Sequence, residues 1–155
     1  MFKKSLIVGA IFLLCGCSSL DTKISASSDI NPDLNGNPSP ISVSVFELSD
    51  SRAFIAADFI HLYTEAPTTL GSSLLAERNL MLVPGTTEAV SLPFVKGVTA
   101  IAYVAAYQNL TNTNWREIVS VTPNRVQGSE ITLTLNNQGI SLVSDQKTLS
   151  LWNNL

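Results

Sequence analysis

Cysteine is nearly absent from this chain: Cys15 and Cys17 stand two positions apart in the stretch FLLCGCSSL, and no other follows. A disulfide across one intervening residue is geometrically awkward, and a metal site would need further ligands. Histidine is scarcer still, with His61 alone, so there is no Cys/His cluster to supply them. Charged residues make up 14% of the chain with no basic cluster, which removes the electrostatic footprint of a nucleic-acid binder. Long apolar runs are missing as well. Only Leu6–Leu14 approaches one, and its nine residues fall far short of the roughly 20 that span a bilayer. No G-x-S-x-G elbow surrounds Ser72 or Ser73, no glycine-rich phosphate loop exists, and the carboxylates are scattered singly. These absences argue against an enzyme and against any cofactor, resident metal or small-molecule substrate.

What is present begins at the N-terminus. Lys3 and Lys4 precede the short apolar core, as the n-region and h-region of a secretory signal do. The following Leu14-Cys15-Gly16-Cys17 resembles a bacterial lipobox, with an aliphatic residue three positions before the modified cysteine and a small one directly before it. Cys17 fits that pattern. Cys15 does not, because bulky Leu14 would occupy the cleavage position. On this reading residues 1–16 are a lipoprotein signal peptide, Cys17 is the acylated first residue of the mature chain, and Cys15 is discarded. The alternative is an ordinary secretory signal cut nearby, leaving Cys17 as a free thiol. Several acyl chains would anchor stably where one would not. Ser18, in place of the aspartate that commonly retains such proteins in the inner membrane, points to the periplasmic face of the outer membrane. The mature part keeps 139 residues and a net charge of −5, and no disulfide can brace it. Its stability rests on apolar burial in one domain.

Residues 17–23 read as the acylated cysteine and a polar tether, and 24–155 as a β-sandwich domain. Ile24–Ser28 is a weak first strand. Ile30–Pro40 packs three prolines, three asparagines and a glycine into eleven residues, which forbids a ladder and favours successive turns. Within it Leu34 is an apolar side chain among turn formers. Ile41–Leu48 alternates as a half-buried strand. Arg52–Tyr63 has helical period with Ile55, Phe59 and Leu62 on one side, Pro67 ends it, and Leu70–Arg78 suggests a second short helical piece. Asn79–Val83, Thr86–Leu92, Val98–Tyr107 and Trp115–Val121 read as strands. Ile131–Leu135 and Ile140–Val143 form a hairpin closed at Gly139. Val98–Tyr107 is apolar on both faces, Ile101, Tyr103 and Tyr107 against Ala100, Ala102, Val104 and Ala106, so another element must cover the alanine side. The helix is the candidate lid. Six to eight short strands with one helical insertion predict an all-β sandwich of two antiparallel sheets.

Two constellations remain open. Asp58, His61 and Glu65 share one helical face and could serve a metal or general base, or could simply be the solvated face of a surface helix. The Ile30–Pro40 loop is either a docking element or a plain interstrand turn whose prolines protect the edge.

The ordered set of Cys17 lipobox, Asn31-Pro32-Asp33 with Gly36 and Pro38-Ser39-Pro40, Val43–Leu48, Phe54 through Ala57-Asp58-Phe59, Pro84-Gly85 and Trp115-Arg116 resembles the outer-membrane lipoproteins of type VI secretion systems, the TssJ (VasD/SciN) family. The chain departs from the family strand at Ser44 and Phe46-Glu47, where Arg and Tyr-Gln are common. The resemblance implies a transthyretin-like sandwich. It also implies a role tethering the periplasmic part of the inner-membrane protein TssM to the outer membrane. In that family the loop after the first strand contacts the partner, which here maps onto Asn31, Pro32, Asp33, Leu34, Asn35, Gly36 and Asn37, with the Tyr63–Gly71 connection as an alternative surface. The competing class is a periplasmic lipoprotein whose sandwich binds a small ligand or inhibits an enzyme, for which a deep apolar pocket would be the mark.

Overall fold

The computed structural model describes residues 19–93, 95–121 and 130–144. Residues 1–16, expected as a signal segment, Cys17 and Ser18 lie outside them. Among the described residues eight strands form two four-stranded sheets: β1 (Ser19–Ala26), β4 (Thr87–Pro93), β7 (Glu130–Asn136) and β8 (Gly139–Ser144) in the order β4-β1-β7-β8, and β2 (Ile41–Leu48), β3 (Leu74–Leu82), β5 (Ala100–Ala105) and β6 (Arg116–Ser120) in the order β3-β2-β5-β6. The expected β-sandwich is therefore present.

Period-two alternation builds the layer between the sheets. Leu20, Ile24, Val90, Leu92, Ile131, Leu133 and Leu135 meet Val43, Val45, Ile101, Tyr103 and Val119 in one apolar cluster. Each fully buried side chain of this size contributes roughly 1.5–3 kcal/mol, so such a core stabilises the fold without a disulfide. One polar link crosses it: the hydroxyls of Thr22 on β1 and Tyr103 on β5 are hydrogen-bonded at 3.1 Å.

Three features differ from the sequence expectation. First, residues 19–23, expected as tether, belong to β1, whose partners run from Ser19↔Pro93 to Ser25↔Thr87. Leu20 and Thr22 are buried while Asp21 and Lys23 are exposed, so the strand is real but its outer face is too polar to announce it. Second, the sheets are not wholly antiparallel, because β1 runs parallel to β7. These strands lie over a hundred residues apart, so no hairpin dictates their relative direction.

Third, the single helix is broken into α1 (Arg52–Ala56), α2 (Phe59–Thr64) and α3 (Ala66–Leu70), followed by a 3₁₀ turn at Gly71–Ser73. Asp58 causes the break: extended at ψ 173°, it accepts the His61 backbone N–H as an N-cap and restarts the helix. Pro67, expected to end a helix, sits in the first turn of α3, where its missing N–H costs nothing. Leu74–Arg78, expected partly helical, is the first half of β3. The break also changes which side chains face inward. Phe54, Leu62, Ala66 and Leu70 are buried, Ile55 is exposed and Phe59 only half-buried.

The lid itself is as expected. Ala100, Ala102 and Val104 of β5 join Phe46, Leu48, Phe54, Leu62, Ala66 and Leu70 in a second cluster, so β5 is buried on both faces. Arg116 on β6 fastens the lid. Its Nη1 donates to the carbonyls of Phe54 at 3.2 Å and Ala57 at 2.8 Å, and its guanidinium lies 4.8 Å from the Trp115 ring centroid. These are the free carbonyls at the end of α1, where a cation is favoured.

Candidate functional site

The loop between β1 and β2 has a clamped base and a self-supporting tip. At the base, Ile30 is fully buried in the core. Asn31 adopts a left-handed backbone (φ 50°), tolerable for asparagine, and is only 4% exposed. Its Nδ2 donates to the Pro40 carbonyl at 2.9 Å, and its Oδ1 accepts the Gln108 backbone N–H at 2.8 Å. Ser39 donates its hydroxyl to the Asn31 carbonyl and accepts Gln108 Nε2 at 2.7 Å. The loop is thereby tied across its own mouth and to the β5–β6 connection.

The tip is a turn folded around Asp33. Gly36 N–H donates to the Asp33 carbonyl at 2.9 Å, and Asp33 N–H donates to the Asn37 carbonyl at 2.8 Å. Asp33 Oδ1 accepts the backbone N–H groups of Asn35 and Asn37, each at 2.8 Å. Gly36 has φ 82° with open space around it, so its lack of a side chain serves the backbone and no close neighbour. The Asp33 carboxyl lies below its ordinary value, first because the Asn37 N–H donates to it, with the Asn37 amide and the Asn35 groups adding. At the apex Leu34 is fully exposed.

Of the expected contact residues, Pro32, Asp33, Leu34, Asn35, Gly36 and Asn37 are thus gathered on one projection, with Asp33 half-buried beneath it. Asn31 stands apart from them: it is buried, and its amide is committed inside the protein, where it positions the loop. Gln108, which holds it, was not legible beforehand; an asparagine directly before a proline was the available hint of a special backbone position.

The other candidate surfaces are weaker. Asp58 and His61 pair at 2.8 Å, but both are exposed and the carboxylate serves as the helix cap. Glu65 follows α2 without joining them, and no group of His, Cys, Asp and Glu suited to a metal occurs among the described residues. The Tyr63–Gly71 connection is mostly α3, with Ala66 and Leu70 turned into the core. Tyr63 stacks on Phe59 at 5.4 Å, which in turn meets Trp115 edge-on. A depression lined by Ser49, Asp50, Arg52, Leu70 and Ser73 is shallow, polar and open, unlike an enclosed apolar ligand cavity. No helix among the described residues is long and apolar enough to cross a membrane.

A family model described as "Type VI secretion lipoprotein, VasD, EvfM, TssJ" matches residues 18–138. The chain belongs to this family. The solved structure of the T6SS lipoprotein TssJ1 from Pseudomonas aeruginosa is similar at a TM-score of 0.78 and 27% identity, covering 84% of this chain and 98% of that one. Serratia marcescens Lip, a membrane-bound component of the type VI secretion system, is similar at 0.76 and 25%, covering 84% and 99%. A chain in a structure of the T6SS protein TssM C-terminal domain from EAEC shares the fold at 0.69 and 22%, covering 80% and 99%. No curated protein sequence matches the chain. The TssJ-type lipoproteins are thus similar over nearly their whole length, and the type VI secretion lipoprotein family accounts for the sandwich and its helical insertion together.

Proposed function

We propose that this family member is lipidated on Cys17, faces the periplasm from the outer membrane, and docks the periplasmic domain of a TssM-like inner-membrane protein through the tip of its β1–β2 loop. Leu34 carries the reading. A fully exposed leucine on a turn braced by five hydrogen bonds to Asp33 and Gly36 has no folding role, yet loses little freedom on entering a pocket. The occurrence of a chain of this fold in a TssM C-terminal domain structure supports the choice of partner. Membership in a lipoprotein family supports the anchor.

The test is binding of the purified mature domain to the periplasmic domain of a TssM-like protein from the same organism. Leu34→Asp should cost about 2 kcal/mol or more, as truncated hot spots do, because it sends an unpaired charge into the pocket. Replacing Asp33–Asn37 with a Gly/Ser linker of equal length should abolish binding while Asn31 keeps the base intact. Unchanged affinity in that linker variant would overturn the assignment of the loop.

A further inference from the structure

The start of β1 at Ser19 leaves Ser18 alone between the sandwich and Cys17. Two Cα–Cα steps of about 3.8 Å therefore hold the first strand within about 8 Å of the acylated residue. A chain with a six-residue tether could tumble freely beside its anchor; two steps leave far less room. The register then says which end of the sandwich lies nearest. Ser19 pairs with Pro93 at the end of β4, Asp21 lies beside Glu130 at the start of β7, and Ile131 pairs with Ser144 at the end of β8. From Pro93 the chain reaches Ala100 on the other sheet, itself paired with Leu48 and Ser120. The exposed Lys96–Gly97 turn belongs to this end. Buried Glu47 holds its base, accepting the Val95 N–H at 3.4 Å. The opposite end carries Ala26, the Val83–Thr86 turn, the Asn137–Gln138 turn and the Ile30–Pro40 loop, which is tied to Gln108. Eight residues of β1 separate the two ends, seven rises of about 3.3 Å, or about 23 Å.

Resting on the Cys17 reading, we infer that the sandwich end bearing Ser19 and the Lys96–Gly97 turn sits on the phospholipid headgroups of the leaflet that holds the acyl chains, so that the Leu34 tip is presented away from the membrane. The occupant of this end is the lipid surface, because the first residue of β1 lies only two residues from the anchor.

The experiment uses the full lipidated chain in phosphatidylethanolamine and phosphatidylglycerol vesicles that contain a headgroup-linked nitroxide quencher. A fluorophore is attached through Lys96→Cys in one protein and through Gln138→Cys, on the opposite turn, in another. Quenching at 96 should exceed that at 138 several-fold, and the difference should collapse when ten Gly/Ser residues are inserted between Ser18 and Ser19. Equal quenching at both sites of a chain that floats with the vesicles would overturn the orientation and leave lipidation standing. Failure of the unmodified chain to float would overturn the Cys17 reading and the orientation with it.

Discussion

Leu34 and Asn31 stand three positions apart and serve opposite ends: one is presented, the other hidden. Their substitutions should separate function from stability. Leu34→Ala should leave the unfolding midpoint unchanged while weakening the partner complex. Asn31→Ala leaves the Gln108 N–H and the Pro40 carbonyl without their partner, and should cost about 1–3 kcal/mol in denaturant unfolding. Asp33 adds a pH signature. Its carboxyl is depressed from 3.8, so its stabilisation of the tip is fully present above that value and is lost as pH falls through the folded-state value. Amide exchange at Asn35 and Asn37 should therefore be slow at neutral pH and accelerate in acid relative to the core strands. Glu47 has the opposite sign. Burial, the largest cause, raises its carboxyl above the ordinary value of 4.5, against the opposing Val95 N–H and Arg78. Its charged form is thus disfavoured in the fold, and Glu47→Gln should raise the melting temperature at neutral pH and lose that advantage as pH falls toward 4.5. Unequal behaviour of these two residues across the titration is the check on both.

Among the elements, the helical lid shows how far pattern reasoning carries and where it stops. The two-faced apolar strand β5 was legible because Ala100, Ala102 and Val104 demanded a cover, and the helical segment was the one amphipathic element free to supply it. The pattern turns Ile55, Phe59 and Leu62 inward together only along a continuous helix. A capping aspartate at 58 resets the phase, so Phe54 instead of Ile55 enters the core, and Phe59 ends half-buried against Trp115. Phe54→Ala should accordingly cost about 3–5 kcal/mol, and Phe59→Ala distinctly less. Asp58→Ala should cost about 1 kcal/mol through the lost cap, while His61→Ala stays within about 0.5 kcal/mol. Denaturant midpoints of the four variants decide the order, and a Phe59→Ala loss equal to that of Phe54→Ala would contradict the packing. The β7–β8 hairpin adds a backbone case. Gly139 has φ 129°, and a Cβ there would collide with the backbone of Asn114, whose carbonyl accepts the Ile140 N–H. Gly139→Ala should therefore destabilise strongly and disturb the β6–β8 contact.

For the whole molecule, the sandwich followed from short alternating strands, but its topology did not. Pairing of β1 with β4 and β7 is set by burial of Leu20, Thr22, Ile24 and Ala26 in a shared core, which no local signal encodes. The polar outer face of residues 19–23 made that part of the strand look like a tether. The loop that carries the proposed function was legible as an oddity, an exposed leucine among turn formers; the clamp beneath it, built from Gln108 and Ser39, required long-range contacts. Cys17→Ser should release the protein from membranes and leave its unfolding midpoint unchanged, since the anchor lies outside the core; continued fractionation with the outer membrane in cells lacking the partner would contradict lipidation at that residue. The central claim, docking through the loop tip, is tested most directly by photo-crosslinking in living cells that build the secretion apparatus. A benzophenone amino acid at position 34 should yield an adduct containing the TssM-like protein, and the same residue at exposed Met81 on the edge of the other sheet should not. An adduct from position 81 with none from position 34 would contradict the account.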